Sequence, residues 1–179
     1  MKRRALIATA LVLGLAIPAS AKFEAAGDDD VRFLAKGPAG MKINGKASGF
    51  EANERGGKLV IKVPVNDMKT GIGLRDRHLK KYLKAGQHPK AELVVDRGKL
   101  KLPDDKKVAS GEATGQFTLA GVTKPLKFNY KAKRTGSDYH VQARATVDIR
   151  DHDIEVPCYL GVCVDPEVKI KVKFKLRDK

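Results

Sequence analysis

The chain has 179 residues, of which 42% are hydrophobic and 32% charged, and its formal net charge is +15 at pH 7. This length and composition suit a single folded domain with a buried core. The lysines alternate with apolar residues and form no basic block with interleaved aromatic residues, so nucleic acid is not an expected partner, whereas weak contact with an anionic membrane surface is.

The N-terminus has the three parts of a secretory signal peptide. Residues 2–4 are basic, residues 5–17 are apolar, and residues 19–21 form an A-x-A cleavage site. A transmembrane anchor fits less well, because the apolar run is short and a cleavage site follows it directly. We therefore predict a signal peptide over residues 1–21, one domain over 22–179, and a periplasmic or secreted location.

The first half of the domain reads as short strands and turns. Residues 22–30 form a polar lead-in with an acidic run, which predicts a loose segment, and residues 31–34 form a short strand. The glycines within residues 41–50 are typical of a strongly bent strand. Residues 53–57 predict a turn, and residues 59–65 alternate as in a strand, so the two strands form a hairpin.

One helix is predicted, from Leu74 to Leu83. Its apolar side consists of residues at spacings of three and four, with charged residues between them. The residues on that side are Leu74, His78, Leu79, Tyr82 and Leu83. The Lys84-Ala85-Gly86 segment is a natural end for the helix.

The second half consists of strands with alternating side chains. They are predicted over residues 91–102, 108–119, 126–133, 141–149 and 168–176. The last of these reads V-K-I-K-V-K-F-K-L, which as a strand has one apolar and one lysine side, and as a helix would have no side to bury.

About eight strands with regular turns and one short helix predict an all-β, antiparallel barrel or sandwich. We favour the barrel, because the inward side mixes small residues such as Gly45 and Ala143 with large ones such as Phe128. A barrel of about eight strands can enclose one small apolar ligand. From the alternation, the candidate ligand-binding residues are Ile43, Val63, Leu93, Phe117, Phe128, Tyr130, Val141, Ile170, Val172 and Phe174.

Two polar clusters are candidates for a chemical site. Arg75, Asp76 and His78 read as a helix start with a structural histidine, since no nucleophile, base and orienting group can be assembled. Asp151-His152-Asp153 reads as a solvated loop, because a metal site needs three or four convergent ligands. We therefore expect no catalytic residue, no metal and no cofactor.

Cys158 and Cys163 flank a short segment that contains Gly161. An exported protein meets an oxidising compartment, which favours a disulfide between the two cysteines. The alternatives are weaker, because there is no C-x-x-C for redox work and no C-x-x-C-H for haem attachment.

Two blocks of sequence resemble the YceI-like family of secreted polyisoprenoid-binding proteins. The first is T-G-I-G-L-R-D-R-H-L-K-K-Y-L-K-A-G-Q-H-P from Thr70, and the second is G-Q-F-T-L-A-G-V-T-K-P-L from Gly115. The resemblance implies a lipocalin-like antiparallel barrel, a helix near its mouth, and an elongated cavity for an isoprenoid or other amphiphilic lipid. The family's usual histidine before the opening strand is absent, and the cysteine loop replaces a Gly-rich segment.

Three functions follow from these observations. The first is an exported lipid-binding protein for carriage, storage or sequestration. The second is a structural or interaction protein of the envelope, with a filled barrel and a basic outer surface. The third, an enzyme that acts on a lipid, would need convergent polar residues inside the barrel, and the predicted inward side has almost none.

Overall fold

The computed structural model describes residues 22–27 and 29–179, so the predicted signal peptide lies outside the described residues. This part of the chain contains twelve strands and one α-helix. The strands are β1 (Phe23–Ala25), β2 (Asp30–Lys36), β3 (Lys42–Ala47), β4 (Glu51–Arg55), β5 (Lys58–Pro64), β6 (Lys90–Asp96), β7 (Val108–Leu119), β8 (Val122–Thr135), β9 (Asp138–Asp148), β10 (Cys158–Tyr159), β11 (Val162–Cys163) and β12 (Glu167–Asp178). The helix α1 (Gly73–Tyr82) lies between β5 and β6.

The strands form a closed, antiparallel barrel of eight positions. β1 and β2 pair with successive parts of one edge of β12, and β4 and β3 pair with β1 and β2 in turn. β1 and β2 therefore act together as one interrupted strand of the ring, and β3 and β4 act together as the next one. The ring continues through β5, β6, β7, β8 and β9, and β12 closes it. The predicted barrel with one helix is confirmed.

The lysine alternation determines which side of each strand faces inward. In β12, Phe174 and Leu176 are buried, whereas Lys169, Lys171 and Lys173 are exposed. β8 has the same pattern, with its alternate apolar residues inside and its lysines outside. Because strand side chains point alternately to the two faces, each strand contributes one apolar side to the interior and one charged side to the surface.

The two ends of the barrel differ. We call one the closed end, and its connections include residues 56–57, 97–107 and 136–137. We call the other the open end, and its connections are residues 37–41, 65–89, 120–121 and 149–166. The helix and the β10–β11 hairpin both belong to the open end.

A buried cluster fills the closed end. The rings of Phe23 and Tyr139 meet edge to face with their centroids 5.1 Å apart. The guanidinium of Arg97 lies 4.4 Å from the centroid of the Phe23 ring and donates to Glu54 Oε2 at 2.8 Å. The backbone N–H of Lys101 donates to the Tyr130 hydroxyl at 2.5 Å, so the 97–107 connection is held across this end.

Three predictions in the first half of the domain were wrong. The strand predicted over residues 41–50 ends at Ala47 and pairs with β2, and the hairpin with β5 is formed by β4 instead. The segment predicted to be a loose lead-in contains β1, and residues 53–55, predicted to be in a turn, belong to β4. The turn consists of Gly56 and Gly57, whose φ angles of 56° and 72° favour glycine. β1 is held by pairing with the distant β12, which local composition does not show, whereas β4 forms a hairpin with β5. Within the described residues, no helix is long and apolar enough to cross a membrane.

Candidate functional site

The barrel is hollow. It encloses a cavity of about 720 Å³, with a wall of mainly aliphatic and aromatic side chains. Pockets for small molecules typically measure ~300–1,000 Å³, so this volume is enough for a ligand. Side chains therefore do not fill the barrel interior.

All ten residues predicted to bind a ligand lie in the cavity wall. Phe117, Phe128, Tyr130 and Phe174 are buried against neighbouring side chains. The other six are only half-buried although they point inward, because they face the cavity; they are Ile43, Val63, Leu93, Val141, Ile170 and Val172. Contact between these residues and a ligand stays a prediction.

Small residues in the middle of the wall leave room for the cavity. Ala145 of β9 lies between Phe128 of β8 and Ile170 of β12 in the strand register. Two residues earlier on β9, Ala143 lies between Tyr130 of β8 and Val172 of β12, and both alanines line the cavity. Larger side chains at these positions would reduce the space that an apolar ligand could occupy.

The cavity reaches the surface at the open end. Met41, Ile72, Leu74, His78 and Val162 line it there and are exposed to solvent. These residues come from three chain segments: the β2–β3 connection, the start of α1, and the β10–β11 hairpin. Together the segments surround the mouth of the cavity.

Polar side chains at the mouth hold the start of the helix. The hydroxyl and backbone N–H of Thr70 donate to Asp76 Oδ1 at 2.5 and 2.7 Å. Arg75 donates from Nε to the Thr70 hydroxyl at 2.8 Å and from Nη2 to the Thr70 carbonyl at 3.0 Å. The Thr70 hydrogen bonds, with the nearby Arg75 and Lys80 cations, hold the pKa of Asp76 below its ordinary value. Arg75 and Asp76 thus both bind Thr70 and hold the start of the helix.

The predicted apolar side of the helix is wrong in part. Leu83 is buried and Leu79 and Tyr82 are half-buried, but His78 is exposed and Leu74 is 56% exposed. None of the ten residues of α1 is buried. The helix covers part of the cavity mouth instead of packing fully on a core, so its apolar residues are divided between the cavity and solvent.

His152 is a core residue, which corrects the prediction of a solvated loop. Its side chain is 3% exposed, and its ring packs edge to face on Phe117 with centroids 5.4 Å apart. Nδ1 lies 2.9 Å from the Val122 carbonyl oxygen and must carry the proton, because a carbonyl only accepts. No group of three potential metal ligands occurs among the residues that the structure describes.

The two cysteines form a disulfide at the base of the hairpin. Cys158 and Cys163 are paired residues of β10 and β11, and Cys158 lines the cavity mouth. Next to them, the Val164 N–H donates to the Pro157 carbonyl at 2.9 Å. The disulfide therefore keeps one wall of the mouth in a defined shape.

The sequence did not predict the part of the cavity wall at the closed end. At the closed end the wall includes Phe23, Leu59, Leu100 and Leu102. The alternation that identified Val63 in β5 also extends back to Leu59, so that residue could have been found. Phe23 lies in a three-residue strand. Leu100 and Leu102 fall within the strand predicted over residues 91–102, but β6 ends at Asp96 and both leucines lie in the connection that follows it.

Comparison with known proteins places this barrel among related sequences. A family model for the YceI-like domain matches residues 28–176. A UPF0312 protein of Pectobacterium atrosepticum is 32% identical over 112 residues, which are 58% of this chain and 55% of the relative. A UPF0312 protein of Pseudomonas paraeruginosa is 29% identical over 114 residues, or 59% of this chain and 56% of the relative. The aligned part thus spans about half the length of these curated relatives.

Solved structures share the fold. A polyisoprenoid binding domain from Saccharophagus degradans, implicated in plant cell wall breakdown, superposes with a TM-score of 0.73 at 12% identity, covering 88% of this chain and 98% of that one. BcnA of Burkholderia cenocepacia superposes with a TM-score of 0.67 at 14% identity, covering 82% and 95%. At such identities the likeness establishes the fold alone. The family model matches most of the length of this chain, so the chain belongs to the YceI-like domain family.

Proposed function

We propose that this chain is an exported lipid-binding protein that holds an isoprenoid or a similar amphiphilic lipid in the barrel cavity, for carriage, storage or sequestration. The observation that carries the proposal is the hollow interior, a cavity of about 720 Å³ with an apolar wall and a mouth at one end. The likeness to the Saccharophagus degradans domain, which is described as polyisoprenoid binding, supports the choice of ligand class.

The wall favours a hydrocarbon chain over a polar ligand. Removing an apolar chain from water contributes roughly 0.8 kcal/mol per methylene, so two isoprene units give several kcal/mol before the costs of binding. Polar lining groups occur at the mouth, where Thr70, Arg75 and His78 are located. An amphiphile fits both parts of the cavity, because its chain contacts the apolar wall and its head group lies beside α1 at the polar mouth.

The chemistry at the mouth supports binding rather than reaction. Arg75 and Asp76 both form hydrogen bonds with Thr70, which fixes the start of the helix. Inside the mouth the cavity wall is mainly aliphatic and aromatic, which suits an apolar chain.

Export is the part of the proposal that rests on the sequence. The basic, apolar and A-x-A regions within residues 1–21 support a cleaved signal peptide. The Cys158–Cys163 disulfide is consistent with an oxidising compartment. Expression of the full chain, followed by mass measurement of the protein released from the periplasm, tests this; a protein that begins at Lys22 is the expected result.

The experiment that tests lipid binding is extraction of the released protein with organic solvent and mass spectrometry of the extract, with native mass spectrometry alongside. We expect a stoichiometric isoprenoid or fatty lipid. Ala145→Trp, which fills the cavity, should lower the amount of lipid, while Thr146→Trp on the outer side of the same strand should leave it unchanged. Absence of lipid, together with no uptake of an added isoprenoid, would contradict the proposal.

A further inference from the structure

Exposed apolar side chains are concentrated at the open end of the barrel. Among the described residues, six large hydrophobic side chains are at least half exposed. Five lie in open-end connections, and we call them the apolar rim: Met41, Ile72, Leu74, Leu160 and Val162. The sixth, Val108, begins β7 at the opposite end. Side chains exposed together in this way mark a surface for another apolar body.

Backbone hydrogen bonds join the segments that carry the apolar rim around part of the cavity mouth. The Asp165 N–H donates to the Lys36 carbonyl at 2.8 Å and joins the hairpin side to the β2–β3 connection. Lys46 and Lys69 exchange two backbone hydrogen bonds of 2.8 and 2.9 Å, which join β3 to the segment before α1. All rim residues except Leu160 also line the cavity, so the rim and the cavity form one apolar surface.

The exposed side of α1 adds positive charge to the rim. Leu74, Arg77, His78 and Lys81 are its exposed residues beyond Gly73, and they follow the spacing of one helix face. We call them the α1 stripe. The only acidic residue of the helix, Asp76, is half-buried and bound to Thr70. The connection before the hairpin carries Asp151, Asp153 and Glu155, so the positive side of the mouth is the helix side.

We propose that the apolar rim and the α1 stripe dock on the surface of an anionic lipid bilayer, with the open end of the barrel facing the membrane. Apolar side chains around an open mouth can insert among acyl chains, whereas a protein partner would have to cover the opening as well as the rim. The cations of the stripe then lie at the depth of the lipid head groups. Because the mouth faces the bilayer, a lipid can enter without crossing water; this consequence rests on the proposed function.

Vesicle flotation tests the docking. The protein used for flotation consists of residues 22–179, which contain the whole closed ring and exclude the predicted signal peptide. Vesicles contain either phosphatidylcholine alone or phosphatidylcholine with equimolar phosphatidylglycerol. We expect flotation with the anionic vesicles that weakens with added salt. The double variant Leu74→Ser/Leu160→Ser and the double variant Arg77→Glu/Lys81→Glu should each lower the partition coefficient about tenfold.

Matched control variants come from the closed end. Val108 is 51% exposed, close to the 56% of Leu74, and Lys133 is its exposed partner on β8. Val108→Ser and Lys133→Glu should leave flotation unchanged. Equal losses in these controls and in the rim variants, or no flotation of the unaltered protein, would overturn the proposal. A dimer in sedimentation that Leu160→Ser dissociates would also overturn it, since the rim would then bind a second copy.

A second measurement separates this inference from the proposed function. Uptake of a fluorescent fatty acid is followed in solution without vesicles, which reports on the cavity alone. Uptake without flotation overturns the docking and leaves the lipid-binding function in place. Flotation without uptake supports the docking and contradicts lipid binding.

Discussion

Thr70 sets the acidity of Asp76 at the start of the helix. Its hydroxyl donates to the carboxylate at 2.5 Å and favours the ionised form. Because the pKa of folded Asp76 is lowered, its stabilising effect is full above the ordinary aspartate pKa and is lost as the pH falls through the lowered value. We expect Thr70→Val to raise the pKa of Asp76 toward the usual value of about 3.9, measured by carboxyl-carbon NMR titration.

The exposed Thr123 offers the control for this titration. Its hydroxyl pairs only with Thr118 among the described contacts, at 2.7 Å and in a different part of the chain. Thr123→Val should therefore leave the Asp76 titration unchanged. An unshifted Asp76 pKa in Thr70→Val would show that the backbone N–H and the neighbouring cations suffice to hold it low.

His152 has a structural role that its flanking aspartates conceal. Replacing it by alanine removes the hydrogen bond to Val122 and the contact with Phe117 and leaves a cavity. We expect the free energy of unfolding to fall by about 2–4 kcal/mol in urea titration. His140→Ala, at an exposed position of β9, should change it by less than about 0.5 kcal/mol. Similar small effects in both variants would contradict a core role for His152.

At the scale of elements, one ion pair joins three segments at the closed end. Glu54 of β4 is buried, accepts from Arg97 at 2.8 Å, and lies 3.4 Å from the backbone nitrogen of Phe23 in β1. Breaking a buried pair from one side is costly, so Glu54→Leu should lower the free energy of unfolding by about 3 kcal/mol. Replacing Glu54 and Arg97 together by leucine should cost less than the sum of the two single changes.

An exposed pair on the same barrel provides the comparison. Lys107 and Asp104 lie 2.9 Å apart with side chains that are 70% and 80% exposed. Breaking this pair should cost far less than breaking the Glu54–Arg97 pair, because water screens it and holds both charges equally well in the unfolded chain. Equal costs for the two pairs in urea titration would show that burial does not strengthen the Glu54–Arg97 contact.

The elements that could be predicted from sequence are those whose pattern is local. β8 and β12 each repeat apolar and lysine residues over many positions, so their inward sides, with five of the ten wall residues, follow from strand geometry. β1 could not be found, because three residues contain no repeat and its pairing with β12 is distant in sequence. The division of the α1 side chains between cavity and solvent depends on where the helix crosses the mouth.

For the whole molecule, the barrel closure could be anticipated but its hollowness could not. Filled and hollow barrels have the same alternation along each strand. The difference arises from which side chains meet in the middle, such as Ala145 between Phe128 and Ile170 in the register. The disulfide followed from cysteine count and compartment, whereas its place beside the cavity mouth depends on the three-dimensional arrangement of the open end.

The closed end gives the cavity a finite length, which predicts how affinity depends on the ligand. Each added methylene should lower the dissociation constant of a fatty acid up to about fourfold, until the chain reaches the Phe23–Tyr139 cluster. Beyond that length the affinity should stay level. Calorimetry with a series of saturated fatty acids measures both the slope and the length at which it ends.

A variant in the wall should move that length. Ala143 faces the cavity between Tyr130 and Val172, so Ala143→Phe should end the rise in affinity at a shorter chain. Gln142→Phe, on the outer side of the same strand between Lys131 and Lys173, should leave the series unchanged. An affinity that rises without limit, or that ends at the same length in Ala143→Phe, would show that the chain does not lie along the barrel axis.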